Sequence, residues 1–459
     1  MPLRETAPKL SPEKYEQNFA DITPAMNARQ AAIEAARCLY CFDAPCIQAC
    51  PTRIDVPGFI KRIMTANVRG AARVILEANI LGESCGRVCP TEVLCEGACV
   101  MVEKGEKVIE IGRLQRFAVD HVLDRKIQLF QAGKANGRRV ACIGSGPASI
   151  ACAAHLARKG YSVTVFDRRE LSGGLNTYGI AAYKTRVSDS LREVEMVKSL
   201  GVEFRQKVEV GQDISFEQLE KDFYAIFIGV GLGETWAMDI PGEDLQGVCG
   251  ALEFIEPTKS QPFSRVAIGR RIACIGAGNT AIDVVTAARR LGAETVYLVY
   301  RRSEQEMPAF RYEYELAKKD GVNFLWQTQP VRILGSAGVV TGLECVRTRL
   351  GEPDARGKRA PETIPNSTFT IDVDMVVRAV GQKQATDFLR AIDGIEVRKN
   401  GTVVTDPQHR TGNPKYFAGG DCVNGGREVV DAVAEGMAAG QGIDAWLAPA
   451  AGDGRKENL

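Results

Sequence analysis

Arg139-Val-Ala-Cys-Ile143-Gly144-Ser145-Gly146-Pro147-Ala148-Ser149 is a short apolar run that breaks into a glycine-rich turn. A strand ending in such a turn, followed by a helix, lets the backbone approach a pyrophosphate. The helix N-terminus then offers N–H donors and a positive dipole to the phosphates. Gly144 and Gly146 fill the turn, Pro147 and Ala148 open the helix, and Ser149 stands where a third small residue is usual. Tyr161 to Phe166 reads as the next strand, closed by Asp167, 23 positions beyond Gly144. A carboxylate there can accept hydrogen bonds from an adenosine ribose. The fold class is therefore α/β, built on a βαβ unit with a parallel sheet.

About 130 residues downstream the pattern recurs. Arg271 to Ile275 is a strand, Gly276-Ala-Gly278-Asn279-Thr280-Ala281 opens a helix, and Thr295 to Tyr300 is the following strand. This second strand ends in Arg301-Arg302 instead of an acid. Arginine at that place can accommodate a 2′-phosphate, which favours NADPH. A solvated pair neutralised by Glu304 and Glu306 is the alternative. Tyr224 to Val230 is another apolar strand, and Met375 to Val380 and Tyr416-Phe-Ala-Gly-Gly420-Asp421 read as strands returning to the first sheet. Gly173-Gly174-Leu175 and Gly419-Gly420-Asp421 can place backbone amides and a carboxylate near a ribityl or phosphate chain. Asp421 can equally cap the helix expected over Val429 to Ala439. Gly351 to Asn366 reads as a surface loop, and the residues from Pro449 onward as a frayed tail.

The chain has 459 residues, with 58 Lys plus Arg against 57 Asp plus Glu, a formal net charge of +1. That length suggests about three domains. Balanced charge argues against a nucleic-acid or membrane-surface partner found by bulk electrostatics. No apolar run reaches the roughly 18 residues of a membrane span, and the first residues lack the apolar core of a signal peptide. The expected location is cytoplasmic.

Of 14 cysteines, eight lie between Cys38 and Cys99, in a region of expected helices such as Ala25 to Arg37 and Ile109 to Ile127. The spacings are Cys38-x2-Cys41-x4-Cys46-x3-Cys50-Pro51 and Cys85-x3-Cys89-Pro90-x4-Cys95-x3-Cys99. C-x2-C and C-x3-C-P are ferredoxin-type spacings, in which thiolates from short loops converge on iron. Two four-cysteine zinc sites would fit the same count. Zinc answers no redox need, however, and two dinucleotide sites imply one. Cys142, Cys152, Cys249, Cys274, Cys345 and Cys422 stand alone in apolar contexts, as buried structural thiols do. His121, His155 and His409 sit in no metal or nucleophile constellation.

The run Arg37-Cys-Leu-Tyr-Cys-Phe-Asp-Ala-Pro-Cys-Ile-Gln-Ala-Cys-Pro-Thr52 with Ile54-Asp-Val-Pro57, and Cys85-Gly-Arg-Val-Cys-Pro-Thr91 with Leu94-Cys-Glu-Gly-Ala-Cys99, resembles dihydropyrimidine dehydrogenase. The likeness is to its N-terminal part, and in particular to the flavin and iron–sulfur subunit of the bacterial two-subunit enzyme. The wider group is that of glutamate synthase small-subunit-like flavoproteins. The resemblance implies FAD in the first dinucleotide domain, NAD(P)H in the second, and two 4Fe–4S clusters. One cluster would be held by Cys38, Cys41, Cys46 and Cys99. The other would be held by Cys50, Cys89, Cys95 and Gln115 of Gly112-Arg-Leu-Gln115, which leaves Cys85 a non-ligand. It further implies flavin-nucleotide contacts from Gly173, Gly174, Leu175 and Lys184, although Ala181 replaces a common proline. Arg301 and Arg302 would face the adenosine end of the nicotinamide nucleotide. A second downstream basic contact is not matched near Met307-Pro308. The bacterial enzymes are often NADH-linked, which slightly favours NADH over the NADPH of the bare motif.

The implied domains are a helical 4Fe–4S domain (1–133), an FAD-binding domain in two parts (134–265 and 377–459), and an NAD(P)H-binding domain between them (266–376). Nothing in the sequence resembles the FMN barrel of the long enzyme. The expected role is oxidation of NAD(P)H, with electrons passed through FAD and the clusters to an FMN- and iron–sulfur-containing partner subunit that reduces uracil or thymine. No residue of this chain is expected to act as a catalytic acid or base. The alternatives are a glutamate synthase small subunit, an NADH-dependent ferredoxin oxidoreductase, and a zinc-stabilised flavoprotein scaffold without electron output.

Overall fold

A computed structural model describes residues 3–353 and 359–448, so the tail expected from Pro449 onward lies outside the described residues. In chain order the strands are β1 Arg139–Ile143, β2 Ser162–Asp167, β3 Glu203–Gln206, β4 Ala225–Ile228, β5 Val248–Gly250, β6 Arg271–Ile275 and β7 Thr295–Val299. There follow β8 Asn323–Leu325, β9 Thr328–Ser336, β10 Val339–Pro353, β11 Arg359–Thr363, β12 Phe369–Asp372, β13 Met375–Arg378 and β14 Tyr416–Ala418. The chain divides into two compact units. One comprises Thr23–Thr177, Ser188–Leu232 and the described residues from Gln384; the other comprises the described residues up to Ile22, Tyr178–Val187 and Gly233–Lys383. The expected limits at 133, 265 and 376 are proposals about nucleotide-binding domains; the compact units are cut at other positions.

The first unit contains a five-stranded parallel sheet in the order β14-β4-β1-β2-β3. Val140 lies opposite Val163 on one side and Ala225 on the other. Four consecutive residues of β1 and all of β4 are buried, as expected for a parallel sheet covered on both faces. Ahead of this sheet come helices with explicit start signals. Asn27 and Gln30 form a capping box on Ala28–Ala36. Asp55 accepts from Gly58 N–H at 2.9 Å to start Val56–Met64, and Asn67 accepts from Gly70 N–H at 2.9 Å to start Val68–Ala78. Their apolar faces, Phe59, Ile60 and Ile63 with Ile75 and Leu76, pack with Leu114 and Val119 of the helix Ile111–Asp124. Each fully buried side chain of this size contributes about 1.5–3 kcal/mol. The same cluster continues into Val140, Ile150, Phe417 and Val433. The cysteine-bearing helices and the first sheet thus share one hydrophobic core.

The second unit holds a second five-stranded parallel sheet, β5-β13-β6-β7-β8, with an antiparallel group in which β10 pairs with β9, β11 and β12. Two expectations are corrected here. Met375 to Val380 was expected to return to the first sheet, but Met375–Arg378 pairs with β5 and β6 in the second. A strand with three consecutive buried apolar residues fits either sheet by its pattern alone, and the Asp374 carboxylate ties it to the second. It is fully buried and accepts from Arg271 N–H at 3.0 Å at the start of β6. Gly351 to Asn366 was expected to be a loop. Its described residues include the outer part of β10 and all of β11, paired as a ribbon through Arg349–Glu362 and Leu350–Pro361. Its charges and prolines mark an exposed ribbon, which buries too little to show strand alternation.

The turn after β6 fixes the second unit's geometry. Gly276 has φ +129°, and the carbonyl oxygen of Ala379 occupies the place a Cβ would need. Gly278 stands in open space with φ −83°. Gly276→Val is expected to lower the urea unfolding stability by about 2–4 kcal/mol, through left-handed strain plus overpacking. Gly278→Ala is expected to stay within about 1 kcal/mol. Urea titrations showing equal losses for the two variants would overturn this account.

Candidate functional site

In the first unit, five separated segments meet at the end of β1. Gly144 has φ +88°, and a Cβ on it would come within 2.6 Å of the Gly229 carbonyl oxygen beyond β4. Gly146 caps the helix Pro147–Arg158 without any side-chain hydrogen bond, so the first-turn N–H groups face outward unoccupied by a cap. Gly173 N–H donates to Ser145 O at 2.9 Å, and Gly174 lies so close that its Cβ would be 2.8 Å from Gly146 Cα. Gly420, φ +77°, closes from below, with its Cβ position 3.0 Å from Ala148 Cβ. Gly420 N–H donates to Glu435 Oε2 at 2.7 Å. The structure therefore brings Gly144, Gly146, Pro147, Ala148, Gly173, Gly174 and Gly420 together, with Leu175 opening the short helix Leu175–Tyr178. This is a cradle of backbone that side chains would fill, and it fits a bound dinucleotide.

The acids around it have defined states. Asp167 Oδ2 accepts from Ser145 N–H at 2.7 Å and Oγ–H at 2.5 Å, and Oδ1 accepts from Arg169 N–H at 2.8 Å. Asp167 thus braces the turn as well as standing where a ribose would come. Asp421 Oδ1 accepts from Arg427 N–H at 3.2 Å. Burial raises the Asp421 carboxyl to about 6, opposed by the Arg427 bond and reinforced by Glu435 and Asp431. Ser149 is fully buried and its Oγ has no hydrogen-bond partner.

In the second unit, Gly276 and Gly278 repeat the turn, and Gly278 caps Asn279–Leu291, again without a side-chain bond. Asn279 Oδ1 accepts from Phe310 N–H at 3.0 Å, and Ala309 N–H donates to Ala277 O at 3.1 Å. These bonds draw the loop after β7 over the helix start. Thr280 is exposed and Ala281 buried. Arg301 is exposed, Arg302 half-buried, and neither forms an ion pair among the described residues. Arg302 Nε is buried without a partner. Of the expected local neutralisers, Glu304 pairs with Arg311 at 2.6 Å and accepts from Tyr314 OH at 2.9 Å, while Glu306 accepts from Ser303 Oγ–H at 2.5 Å, and that bond, with the Arg302 charge adding, holds its carboxyl below the usual carboxylate range. Lys184 also lies in this unit. Its ammonium is 2.7 Å from Asp283 and 2.6 Å from Glu313. Burial pulls the Lys184 pKa down, and the two carboxylates outweigh it, holding the amine charged.

The cysteines form two groups. Cys38, Cys41, Cys46 and Cys99 line one cavity together with Val56, Ile60, Ile109 and Ile111. All four are partly exposed. Burial pushes the Cys46 thiol up to about 12, with Cys38 and Cys99 adding to the shift. Cys50, Cys85, Cys89 and Cys95 form a more deeply placed group: burial raises Cys89, and Cys85, Cys95 and Cys50 raise it further. Gln115 is buried and donates Nε2–H to Gly82 O at 2.8 Å, which leaves Oε1 as its acceptor end. Among the described residues, no three His, Cys, Asp or Glu side chains converge as one metal ion would require. Thiols brought together from short loops are a donor set that fits an iron–sulfur group.

One feature escaped the sequence reading. Glu193, fully buried on the helix Val187–Lys198, accepts from Ser84 N–H at 2.9 Å and also from Ser84 Oγ–H. It caps the helix Gly82–Val88, whose own N-cap Leu81 offers nothing. An acid on the inward face defined by Ser190, Val194 and Val197 was the available signal.

Residues 15–127 match the family described as dihydropyrimidine dehydrogenase domain II, 4Fe-4S cluster, and residues 138–436 match pyridine nucleotide-disulphide oxidoreductase. The NADPH glutamate synthase small chain of Escherichia coli K12 is 36% identical over 462 residues, covering 97% of this chain and 98% of that one. The NADPH-Fe(3+) oxidoreductase subunit beta of Geobacter sulfurreducens is 35% identical over 88% of this chain and 64% of its own length. Among solved structures, Mycobacterium tuberculosis FprA in complex with NADPH aligns with a TM-score of 0.56 at 19% identity, over 67% of this chain and 85% of that one, a likeness of fold. This chain is an oxidoreductase of the pyridine nucleotide-disulphide family, in the group that joins an N-terminal 4Fe–4S domain to that fold and includes the glutamate synthase small chains.

Proposed function

We infer that the chain is the electron-input subunit of a pyrimidine-reducing complex: it oxidises NAD(P)H and delivers electrons to a partner that reduces uracil or thymine to the 5,6-dihydropyrimidine. A bound FAD would supply hydride acceptance from NAD(P)H and release of electrons one at a time, and bound 4Fe–4S clusters would supply single-electron conduction. The residues of this chain position these groups. The cradle of Gly144, Gly146, Gly174 and Gly420 would bind the FAD pyrophosphate, with Asp167 near its ribose and Asp421 near its ribityl chain. Gly276, Gly278 and the start of Asn279–Leu291 would bind the nicotinamide nucleotide, with Arg301 and Arg302 toward its adenosine end. One cluster would rest on Cys38, Cys41, Cys46 and Cys99, the second on Cys50, Cys89, Cys95 and Gln115 Oε1.

The observation that carries the electron-transfer reading is the single cavity lined by Cys38, Cys41, Cys46 and Cys99, side chains drawn from two cysteine runs. The pyrimidine-reducing partner is supported by the family match over residues 15–127 and by the segments Asp43-Ala-Pro-Cys46 and Ile54-Asp-Val-Pro57. A second reading has its own support. The near full-length likeness to a glutamate synthase small chain favours a glutamate-forming partner.

Purified anaerobically with its co-purifying partner, the chain is expected to oxidise NADH or NADPH only when uracil or thymine is supplied. Alone, it should reduce an artificial acceptor and leave uracil unchanged. Oxidation driven by glutamine plus 2-oxoglutarate and indifferent to uracil would replace the first reading by the second. Uracil reduction by the chain alone would refute the division of labour. For the ligand sets, Cys89→Ser should remove about half of the bound iron, since one missing thiolate opens one of two clusters. Cys85→Ser should retain all of it. Loss of a whole cluster in the Cys85 variant, read by iron analysis and electron paramagnetic resonance, would overturn the assignment.

A further inference from the structure

We propose, resting on the reading of Gln115 as the fourth ligand of the second cluster, that Glu96 is the residue that positions it. The Glu96 carboxylate pins the start of the helix Ile111–Asp124 to the loop between Cys95 and Cys99. A thiolate holds iron by its charge and softness, and a neutral amide oxygen has neither. A carboxamide ligand therefore depends on the groups around it to keep it in place.

Gln115 stands just beyond the first turn of its helix, a turn whose N–H groups have no intrahelical acceptor. The N-cap residue, Glu110, gives that turn no side-chain bond, because its carboxylate faces Lys107 and Arg113. Glu96 supplies the missing acceptor from elsewhere in the chain, with Oε1 accepting from Gly112 N–H at 2.9 Å. Gly112 and Gln115 are three residues apart and so lie on one side of the helix. The loop closes tightly at this point. A Cβ on Gly112 would stand 3.0 Å from Thr91 Cγ2 and 3.6 Å from Glu96 Oε1. The amide end of Gln115 is fixed separately, with Nε2–H donating at 2.8 Å to the carbonyl of Gly82, in the helix that ends at Cys89.

Glu96 also belongs to the turn that carries ligands of both clusters. Cys95 precedes it, its own N–H donates to Thr91 O at 2.8 Å, and its carbonyl accepts from Cys99 N–H at 3.0 Å. One residue thus ties Cys95, Cys99 and the Gln115 helix together. The caps from Asp55 and Asn67 are of another kind, each lying three residues before the N–H it receives. A local cap starts a helix and says nothing about where the helix stands. A cap from the ligand-bearing loop also sets the place of Gln115 relative to Cys95.

The test uses the full-length chain purified anaerobically with its clusters. It follows iron release to a ferrous chelator together with the electron paramagnetic resonance spectrum. Glu96→Ala should release iron from the second cluster about tenfold faster than wild type, the scale on which partners of metal ligands act, while the first cluster keeps its spectrum. Glu96→Gln retains an acceptor oxygen for Gly112 N–H and should behave as wild type. Asn67→Ala removes a cap from Val68–Ala78 and should leave release unchanged, which separates positioning from a general loss of stability. Gln115→Ala should be as labile as Glu96→Ala. Where Glu96→Ala fails to fold, Glu96→Asp shortens the reach by one methylene and carries the same expectation. Wild-type release from Glu96→Ala, or fast release from Glu96→Gln or Asn67→Ala, would overturn the proposal, and a labile Gln115→Ala would leave the ligand reading standing. Gln115→Ala with both clusters as stable as in wild type would overturn the ligand reading itself.

Discussion

A peptide carbonyl pressed against a glycine turn is the constraint on which both candidate nucleotide sites rest. The Gly229 carbonyl meets Gly144, and the Ala379 carbonyl meets Gly276, each at the place of the missing Cβ. The pressing residues follow β4 and β13, the neighbours of β1 and β6 in their parallel sheets. Strand pairing therefore sets the depth of each turn, and the turn sets where the helix N-terminus points. The helix caps Gly146 and Gly278 bring no competing side chain to those N–H groups. The same device occurs in both units, so the geometry of the turn belongs to the sheet and not to loop flexibility.

Much of this was legible in the sequence, because glycine after an apolar strand has few other uses. β1 and β6 fall where the sequence places them, and the residues around Gly144, Gly173 and Gly420 do meet. The misplacements have physical reasons. Met375, Val376 and Val377 are apolar and buried on both faces, as in any central parallel strand, so their pattern names no sheet; the buried Asp374 that ties the strand to Arg271 looks in sequence like a loop acid. The described residues of the ribbon at 351–353 and 359–363 are mostly exposed and show no alternation. Asp167 was read for its ribose and missed as a brace, since its bonds to Ser145 reach across to another strand end.

The cysteine-bearing helices could have formed a domain with its own core. Instead, Phe59, Leu114, Val140 and Phe417 belong to one cluster. Glu193 makes the joint specific. It serves as the missing cap for the helix that leads to Cys89, and Ser84 gives it two donors. Glu83 lies beside it with Arg87 at 3.3 Å and Arg192 also bonded. Burial holds the Glu83 and Glu193 carboxyls above the ordinary carboxylate range; the Glu193 charge adds to the shift of Glu83, and Arg87 and Arg192 oppose it. Removing one partner from such a group leaves an uncompensated buried charge, which costs more than the pairing contributes. The joint therefore tolerates little change in the placement of the helix relative to the sheet.

Neither unit is continuous in sequence, and this limits how the chain can be divided. The core of the second unit includes Tyr15 and Phe19 from the N-terminal segment and Ala181 and Tyr183 from Tyr178–Val187. That second segment begins one residue after Thr177 of the first unit and ends one residue before Ser188. Lys184 anchors it, with Tyr183 OH donating to Asp283 Oδ1 at 3.0 Å beside the ion pairs. A lysine between two buried carboxylates is a poor source of stability, because desolvation offsets most of the attraction. It is a determinant of position, because the one ammonium lies within ion-pair distance of both carboxylates. The loop that carries Gly173 and Gly174 is thus continuous, within a few residues, with a segment fixed in the other unit.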